Sequence, residues 1–331
     1  MDKETLLISE ENIKGIFENK YQLAVDIVKN AFVKFINGDV KLPDKISQIF
    51  NEKLQNRINC MPATLVSDKL CGVKWVSVFP NNPSKGLRNV EGTIILSELE
   101  NGHNVSIMDG TYITSIRTAA VGALAASYLS KVDSEVIGFI GAGSEAKKHF
   151  EMIKTIRPTI KKCYVSSRRD SSTQRFVDEL SPKYGDVEFV NCEDDYKMAV
   201  SEADIIVTAT STQQDLLKAS WVKKGSLYIH VGGWEDEYAV ANKADKIVCD
   251  NWESVKHRSQ TISRMYLAGL LTDEDIYSDL GDIISGEKAG RENDNEFIYF
   301  NSVGLAFIDV EFARYVYEYC FKNGIGTMFQ F

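Results

Sequence analysis

The sequence predicts an α/β fold, a doubly wound parallel sheet accompanied by a second domain of mixed α/β structure. From Glu135 onward, short apolar runs alternate with helical stretches, which is the pattern of parallel βαβ units. Before about residue 115, apolar runs follow one another with turns between them, which favours a mixed sheet. These two patterns predict two domains of different architecture.

The length of 331 residues suits two domains, at about 150 residues each. We assign residues 131–301 to the doubly wound domain, and residues 1–130 and 302–331 to a substrate-binding and dimerisation domain. A helix from Thr111 to Leu129 is the predicted connection. A closing helix from Gly304 to Phe321 is expected to return the chain to the first domain.

The predicted strands of the first domain differ in spacing from those of the second. The first domain has strand-like runs at Arg57–Val66, Val73–Phe79, Thr93–Glu98 and Val105–Met108. The doubly wound domain has six, at Val136–Ile140, Cys163–Ser166, Val187–Val190, Ile205–Ala209, Leu227–Val231 and Lys246–Cys249, with a further run at Phe297–Phe300.

Charge and hydropathy exclude several classes of function. The 38 basic and 47 acidic residues give a net charge of −9, which disfavours binding to nucleic acid or to an anionic membrane. No apolar run reaches the length of a membrane helix, and the first residues lack a signal-peptide pattern. We therefore expect a cytoplasmic protein.

The cysteines and histidines do not form a metal-binding pattern. Six cysteines and four histidines are scattered singly along the chain, without a Cys-x-x-Cys pair. Free, buried thiols are the interpretation that this spacing favours, and no metal site is predicted.

The segment Gly141-Ala142-Gly143-Ser144-Glu145-Ala146 is the strongest local motif. It follows an apolar strand and precedes a helical stretch. In a Rossmann-type domain the first glycine, Gly141, permits the tight turn, and Gly143 lets a pyrophosphate approach the backbone. The context predicts a dinucleotide site rather than an empty turn.

The end of the second strand of this domain indicates which nucleotide binds. It reads Tyr164-Val165-Ser166-Ser167-Arg168-Arg169, with no carboxylate at the strand end that would bind the ribose hydroxyls of NAD. Two arginines and two hydroxyls suit a 2′-phosphate, so NADP(H) is the preferred cofactor and NAD(H) the alternative. A solvated basic loop is the other interpretation.

Three basic residues, Arg57, Lys74 and Arg117, lie in apolar surroundings of the first domain. Such cations need partners, and the carboxylate of a substrate is one way to supply them. Lysine can also polarise a carbonyl or imine during hydride transfer. Side chains that snorkel to the surface or form salt bridges are the alternative.

The segment from His230 to Asp236 ends the fifth strand of the doubly wound sheet, where ligands of such sheets bind. Glu235 or Asp236 could therefore serve as an acid or base, and a surface acidic loop is the alternative. Ser302, after the last strand-like run, offers a hydroxyl near the expected domain junction.

Taken together, these residues resemble the ornithine cyclodeaminase and μ-crystallin family over nearly the whole chain. The segments that carry the resemblance are Arg57 with Met61-Pro62, Gly72-Val73-Lys74-Trp75, Met108-Asp109-Gly110, Arg117-Thr118-Ala119-Ala120, Gly141-Ala142-Gly143, Val231-Gly232-Gly233 and Ser302 to Ala306 with Asp309. Segments around Asn82, Lys243 and Gly290 look most like the SbnB branch, typified by the NAD-dependent N-(2-amino-2-carboxyethyl)-L-glutamate dehydrogenase.

The resemblance implies a role for each matching residue. Arg57, Lys74 and Arg117 would hold the substrate. The residues that would line the cofactor are Thr93, Ser144, Glu145, Ser166, Thr210, Val231 and Ser302. Members of the family are typically dimers formed through the first domain, so a homodimer is expected.

Two departures from the family pattern bear on the reaction. Trp234 stands where the cyclodeaminases have a catalytic aspartate, which argues against ornithine cyclisation. Glu235 matches an aspartate of the SbnB branch and is the expected acidic partner. Ser166 replaces that branch's acidic ribose ligand, which favours NADP(H).

The resulting hypothesis is an oxidoreductase that moves hydride between NADP(H) and the α-carbon of an amino-acid-derived imine, with Lys74 polarising the centre and Glu235 managing the proton. SbnB-like cleavage of an N-substituted glutamate to 2,3-diaminopropionate and 2-oxoglutarate comes first. Reduction of a cyclic imino acid or amination of a 2-oxo acid comes second. The alternative hypothesis, from another class of function, is a non-catalytic protein that binds NADP and a ligand, as in the μ-crystallin branch.

Overall fold

The structure is a computed structural model that describes residues 4–330. The helices of this part of the chain are α1 (Glu10–Phe17), α2 (Tyr21–Ile36), α3 (Thr111–Leu129), α4 (Ser144–Ile156), α5 (Asp170–Leu180), α6 (Tyr196–Val200), α7 (Tyr238–Lys243), α8 (Trp252–Val255), α9 (Thr261–Leu267), α10 (Leu280–Ser285) and α11 (Ala306–Asn323). None of them combines the length and apolar character that crossing a bilayer requires.

The strands of the described residues are, in chain order, β1 (Thr5–Ile8), β2 (Val40–Lys41), β3 (Ile46–Asn51), β4 (Asn56–Leu65), β5 (Leu70–Val78), β6 (Val90–Glu98), β7 (Asn104–Asp109), β8 (Val136–Ile140), β9 (Lys162–Ser166), β10 (Glu188–Asn191), β11 (Ile205–Thr208), β12 (Gln213–Leu217), β13 (Leu227–His230), β14 (Trp234–Asp236), β15 (Lys246–Cys249), β16 (Ser278–Asp279), β17 (Ile298–Asn301) and β18 (Thr327–Phe329).

The chain divides into two compact units. The first contains the described residues up to Arg117 and from Gly304 onward, and the second is Thr118–Val303. The division falls within α3 and directly after Val303, whereas the sequence placed it at the end of that helix and before Ser302.

The first unit contains a mixed sheet with the order β18-β1-β7-β6-β5-β4-β2, and β3 pairs with β4 off this path. The pairing is antiparallel except between β1 and β7. Helix α11 packs on one face of this sheet, with α2 against it. Phe307 of α11 stacks on Phe35 at 4.8 Å and meets Phe32 edge-on at 5.6 Å. Burial of these rings stabilises this layer.

The opposite face of the first unit's sheet is apolar and exposed. Side chains alternate between faces along a strand, so the row Ile46, Cys60, Trp75 and Thr93 lies on the face away from α11. Ile46 is 62% exposed and Trp75 is 45% exposed. Apolar surface of this extent on a sheet face is typical of an interaction surface.

The second unit contains a fully parallel sheet of eight strands, in the order β10-β9-β8-β11-β13-β17-β15-β16. The predicted doubly wound parallel sheet is thus confirmed, although it has eight strands rather than six. β17 lies between β13 and β15, and all four of its side chains are buried. The short β16 extends the edge beside β15. β12 and β14 pair separately as a two-stranded sheet.

Candidate functional site

The first unit holds a buried cluster of three charged side chains, Lys74, Arg117 and Asp309. Lys74 Nζ donates a hydrogen bond to Asp309 Oδ1 at 2.6 Å, and Arg117 Nε donates to the same oxygen at 3.0 Å. All three side chains are buried, and Lys74 is completely inaccessible. Two positive charges and one negative charge leave the cluster with a net positive charge away from water.

Three elements bring this cluster together. Lys74 lies on β5 between Met61 of β4 and Ile94 of β6, on the sheet face that α11 covers. Asp309 is in the first turn of α11, and Arg117 is in the first half of α3. A lysine on an apolar sheet face needs a carboxylate beside it. The closing helix of the chain supplies that carboxylate.

The second oxygen of Asp309, Oδ2, is buried and has no hydrogen-bond partner within the described residues. An unsatisfied buried acceptor costs free energy, about 1 to 3 kcal/mol. A donor group on a bound molecule would offset that cost. The unsatisfied oxygen of Asp309 therefore points to a ligand at this cluster.

Gly304 lies directly against one side of the guanidinium of Arg117. Its φ of +80° is in the left-handed region, and a Cβ at this position would lie 2.7 Å from Arg117 Nη1. Any side chain here would be strained and would displace the guanidinium. A glycine at this position is thus part of the cluster.

Arg57 lies on the same sheet face as Lys74, four residues before the Met61 that pairs with Lys74. Its Nη1 donates to the carbonyl of Gln55 at 3.0 Å. Burial lowers the pKa of Arg57, although a guanidinium remains charged at neutral pH. Arg57 therefore lies on the same sheet face as Lys74 but does not take part in the hydrogen bonds around Asp309.

Thr93 is separated from these three cations. It pairs with Trp75 and Asp109 across the strands, on the exposed face of the sheet. Lys74 faces the other side. The predicted role of Thr93 at the cofactor stays a prediction.

In the second unit, the predicted nucleotide motif forms the turn between β8 and α4. Gly141 has a φ of +109°, and a Cβ there would lie 2.5 Å from the carbonyl oxygen of Ala209. Gly143 caps α4 with nothing within 4 Å of its Cβ position. Ser144 and Glu145 form the first turn of this helix. The start of a helix with open space beside it fits a pyrophosphate.

Other predicted cofactor residues follow the ends of neighbouring strands. The register aligns the last residues of β9, β8, β11, β13 and β17 in one row, and this row comprises Ser166, Ile140, Thr208, His230 and Asn301. The residues directly after this row include Gly141, Ser167, Val231 and Ser302, and Thr210 is two positions beyond β11. Ligands of such sheets bind at this edge.

The turn after β9 contains the residues predicted to select the cofactor. Ser166 is buried, and its Oγ donates to the carbonyl of Glu193 at 2.8 Å. Ser167 Oγ donates to the carbonyl of Arg169 at 3.0 Å. Arg168 and Arg169 are exposed and form no salt bridge within residues 4–330. The two guanidinium groups are therefore available to an anion.

Thr210 and Ser302 are held by carboxylates. The backbone N–H of Thr210 donates to Glu235, and Ser302 Oγ donates to Asp250 Oδ2 at 3.1 Å. Val231 is half-buried, and its N–H donates to the carbonyl of Thr208 at 3.2 Å. These loops are thus fixed by hydrogen bonds from within the unit.

Glu235 and Asp236 are both completely buried in the second unit. Glu235 accepts hydrogen bonds from Thr208 Oγ1 and Gly232 N, each at 2.8 Å, and from the N–H of Thr210. Asp236 accepts from Thr261 Oγ1 at 2.6 Å. Burial raises the pKa of Asp236, while the charge of His230 opposes that rise. The predicted proton-transfer role of Glu235 stays a prediction, since its oxygens are taken up by these internal donors.

The sequence model of the ornithine cyclodeaminase/mu-crystallin family matches residues 4–324. The chain belongs to this family.

Several curated proteins are similar to this member of the family over their whole length. An alanine dehydrogenase of Archaeoglobus fulgidus is 32% identical, covering 99% of both chains. An N-((2S)-2-amino-2-carboxyethyl)-L-glutamate dehydrogenase of Staphylococcus aureus is 29% identical, covering 99% of this chain and 98% of the other. The predicted similarity to the SbnB-type enzyme is confirmed, alongside other family members.

Solved structures are similar at the level of the whole fold. The Δ1-pyrroline-2-carboxylate reductase of Thermococcus litoralis, with NADH and L-proline, has a TM-score of 0.91 and 30% identity, covering 98% of this chain and 99% of the other. An archaeal alanine dehydrogenase dimer with bound NAD has a TM-score of 0.90 and 31% identity, covering 99% and 100%. The predicted Rossmann-type fold and the predicted class, an NAD(P)-dependent oxidoreductase, are confirmed.

Asp309, the acidic residue of the cluster, was not predicted as a site residue from the sequence of this family member. Asp309 entered only as part of the resemblance, yet it is the anion that holds Lys74 and Arg117. An acidic residue in the first turn of an otherwise apolar helix was the available signal. Helix starts commonly carry acids, so that signal had another explanation.

Proposed function

We propose that the protein is an NADP(H)-dependent oxidoreductase that acts at the C–N bond of an amino-acid-derived imine or secondary amine. The observation that carries this proposal is the buried, net-positive cluster of Lys74, Arg117 and Asp309. The relatives support it, because alanine, pyrroline-2-carboxylate and an N-substituted glutamate each carry a carboxylate beside an amino or imino carbon.

The cluster would bind the substrate carboxylate. Lys74 and Arg117 share the single carboxylate of Asp309, and an anionic group of the substrate would balance the second positive charge. Arg117 can offer its planar fork to the carboxylate, and Arg57 would add a second guanidinium from the same sheet face. Asp309 Oδ2 would accept a hydrogen bond from the amine nitrogen of the substrate.

Lys74 would polarise the reacting C–N centre with its ammonium group. The bound cofactor would supply or accept hydride at the α-carbon. In the oxidative direction the substrate loses that hydride from the α-carbon to the oxidised cofactor and releases a proton from the nitrogen to water. Water then cleaves the imine to an amine and a 2-oxo acid. The amine product takes up the protons from water.

An N-substituted glutamate is the first substrate class to test, because the Staphylococcus aureus relative matches over the whole chain. Cyclic imino acids and 2-oxo acids with ammonia come second, since the reductase and the alanine dehydrogenase match equally fully. All of these substrates share the carboxylate that the cluster would bind.

NADP(H) is the proposed cofactor, with NAD(H) as the alternative. Arg168 and Arg169 are exposed after the end of β9, where the ribose would lie, and no carboxylate stands at the end of this strand. Their charge would favour a 2′-phosphate. The structures of the relatives contain NAD or NADH, so this choice is specific to the present chain.

The test is fluorescence titration of the purified protein with NADPH and NADH, followed by an absorbance screen with N-substituted glutamates, cyclic imines and oxo acids. Tight NADPH binding with turnover of one substrate is the expected result. NADH preference would overturn the assignment of the cofactor. Binding without turnover of any substrate would favour a non-catalytic ligand-binding protein.

We also propose that two copies associate through the exposed sheet face of the first unit. Ile46 and Trp75 form an apolar row there, and a flat sheet face can pair with itself about a twofold axis. The archaeal alanine dehydrogenase relative is a dimer. The cytoplasmic location stays a prediction.

A further inference from the structure

A chain of hydrogen bonds in the second unit fixes one proton of His230. Gln260 Nε2 donates to the carbonyls of Gly232 and Ser302, both at 2.9 Å. Gln260 Oε1 must then accept from Asn301 Nδ2, also at 2.9 Å, so Asn301 Oδ1 is an acceptor. His230 Nδ1 lies 2.7 Å from that oxygen. The Nδ1 atom therefore carries a proton.

The other ring nitrogen of His230 faces two carboxylates. Nε2 lies 3.6 Å from Glu235 Oε2 and 3.8 Å from Asp236 Oδ1, and all three side chains are completely buried. A bare Nε2 would direct its lone pair at two carboxylate oxygens, which is repulsive. A protonated Nε2 would make the ring a cation between two anions, which is attractive.

Hydrogen-bond donors surround both carboxylates, and those at Asp236 oppose the burial that raises its pKa. Glu235 is contacted by two backbone N–H groups and the hydroxyl of Thr208. Asp236 accepts from Thr261 Oγ1 and from Tyr299 OH at 3.1 Å, with Tyr228 OH at 3.3 Å. Within residues 4–330, neither carboxylate has a lysine or arginine in salt-bridge distance, so His230 is the available cation.

We propose that His230 is a buried imidazolium between Glu235 and Asp236, and that this charged triad positions the two loops that carry Thr210 and Val231. Glu235 connects the triad to both loops by accepting hydrogen bonds from their backbone. One of its oxygens accepts from Thr210 N after β11, and the other accepts from Gly232 N after β13. The inference rests on the proposed function and deepens it, because these loops follow the strand ends where the nicotinamide cofactor would bind.

The consequence for the reaction concerns Glu235. As a positioning residue it acts on cofactor affinity and does not transfer the proton, because both of its oxygens are engaged inside the unit. Neutralising Glu235 would weaken the hydrogen bonds to both loops and leave His230 paired with Asp236 alone. Neutralising His230 would leave two carboxylates buried together without a cation.

The first test is nuclear magnetic resonance of the full-length wild-type protein with nitrogen-15-labelled histidine. His103 is half-buried and His257 is exposed, and their signals can be assigned with His103→Gln and His257→Gln. Asp236→Asn then separates the signal of His230 from that of His149. We expect both nitrogens of His230 to be protonated at about pH 7.5. A neutral ring with a bare Nε2 would overturn the imidazolium.

The second test compares Glu235→Gln with Glu237→Gln, a nearby carboxylate that accepts from Ala219 N outside the triad. We expect Glu235→Gln to raise the NADPH dissociation constant about tenfold and to change turnover at saturating cofactor less than about threefold. Glu237→Gln should leave both values unchanged. A large loss of turnover with unchanged NADPH binding would show that Glu235 transfers the proton, and would overturn its positioning role.

The two tests separate this inference from the proposed function. If the wild-type protein bound neither NADPH nor NADH, the proposed function would fail, while the resonance of His230 would still report the charge of the triad. If the cofactor bound and His230 were neutral, the triad alone would fail. Should the Glu235 variant not fold, the wild-type spectrum remains decisive.

Discussion

At the scale of single residues, the proposed chemistry depends on the ammonium group of Lys74. Lys74→Ala removes this charge while Asp309 keeps its hydrogen bond from Arg117. We expect turnover to fall about 100-fold, because the polarising charge at the reacting centre is lost. NADPH affinity should stay within about twofold, as measured by fluorescence titration. Unchanged turnover would remove Lys74 from the reaction.

Asp309 is predicted to act on both stability and substrate binding. Asp309→Asn leaves Lys74 and Arg117 buried without an anion, and we expect a loss of about 3 kcal/mol in the free energy of unfolding. KM for the substrate should rise as Arg117 loses its orientation. Urea denaturation and steady-state kinetics measure the two effects. Glu318→Gln, an exposed carboxylate on the same helix paired with Arg314, is the matched control and should change neither.

The cationic residues of the site were predictable, and their anion was not. Arg57, Lys74 and Arg117 stood out because long charged side chains occur there in apolar runs. Asp309 lies 235 positions from Lys74, and only the folded chain shows that both meet. Glu235 was predicted from the strand that precedes it. The pattern of residues does not show that its side chain turns inward onto Thr208 and Gly232.

At the scale of secondary-structure elements, the turn after β9 is predicted to determine the preference between NADPH and NADH. The double variant Arg168→Ala/Arg169→Ala removes both exposed guanidinium groups beside the end of this strand. We expect the NADPH dissociation constant to rise at least about tenfold and that of NADH to stay within about twofold. Arg175→Ala, an exposed arginine farther along α5, is the control and should leave both constants unchanged. Equal effects on NADPH and NADH would contradict 2′-phosphate recognition.

The junction of β15, β16 and α8 is predicted to make stability depend on pH. Burial, with the charges of Asp282 and Asp250, raises the pKa of Asp279 to about 6, against 3.8 for an ordinary aspartate. Asp279 Oδ1 accepts from Trp252 N at 2.7 Å. The folded state therefore keeps the proton longer than the unfolded state, and the contribution present below about pH 4 is lost as the pH rises through about 6.

The corresponding measurement is urea denaturation of the wild type and of Asp279→Asn at both ends of this pH range. We expect the wild type to lose about 3 kcal/mol relative to Asp279→Asn between about pH 4 and pH 7. Asp275→Asn, an exposed capping carboxylate, is the control and should follow the wild type. Parallel pH profiles of wild type and Asp279→Asn would contradict the raised pKa.

The strands and long helices of both units were largely predictable from periodicity. The helix Thr111–Leu129 and the strands Val136–Ile140 and Lys246–Cys249 have the predicted bounds. The short β1 and β18 were missed, because three or four residues carry too little periodicity. The place of β17 between β13 and β15 was also missed, since alternation along the chain gives the class of a sheet but not the order of its strands.

At the scale of the whole molecule, the exposed sheet face of the first unit predicts a dimer. Trp75 and Ile46 lie in one row of this face, and their burial against a second copy would remove apolar surface from water. A carboxylate in the middle of such an interface would have to be buried without a partner, or two copies of it would face each other across the twofold axis. Charge at this row should therefore separate the copies.

We expect the wild-type chain of 37.1 kDa to have about twice that mass in light scattering. Trp75→Glu should shift the mass to that of one chain at micromolar concentration, because a carboxylate would replace the large apolar side chain that the interface buries. Leu267→Glu introduces the same charge at a side chain of α9 that is 65% exposed and belongs to the second unit, and it should leave the dimer intact. A dimer that persists in Trp75→Glu would place the interface on another surface, and a wild-type monomer would contradict association altogether.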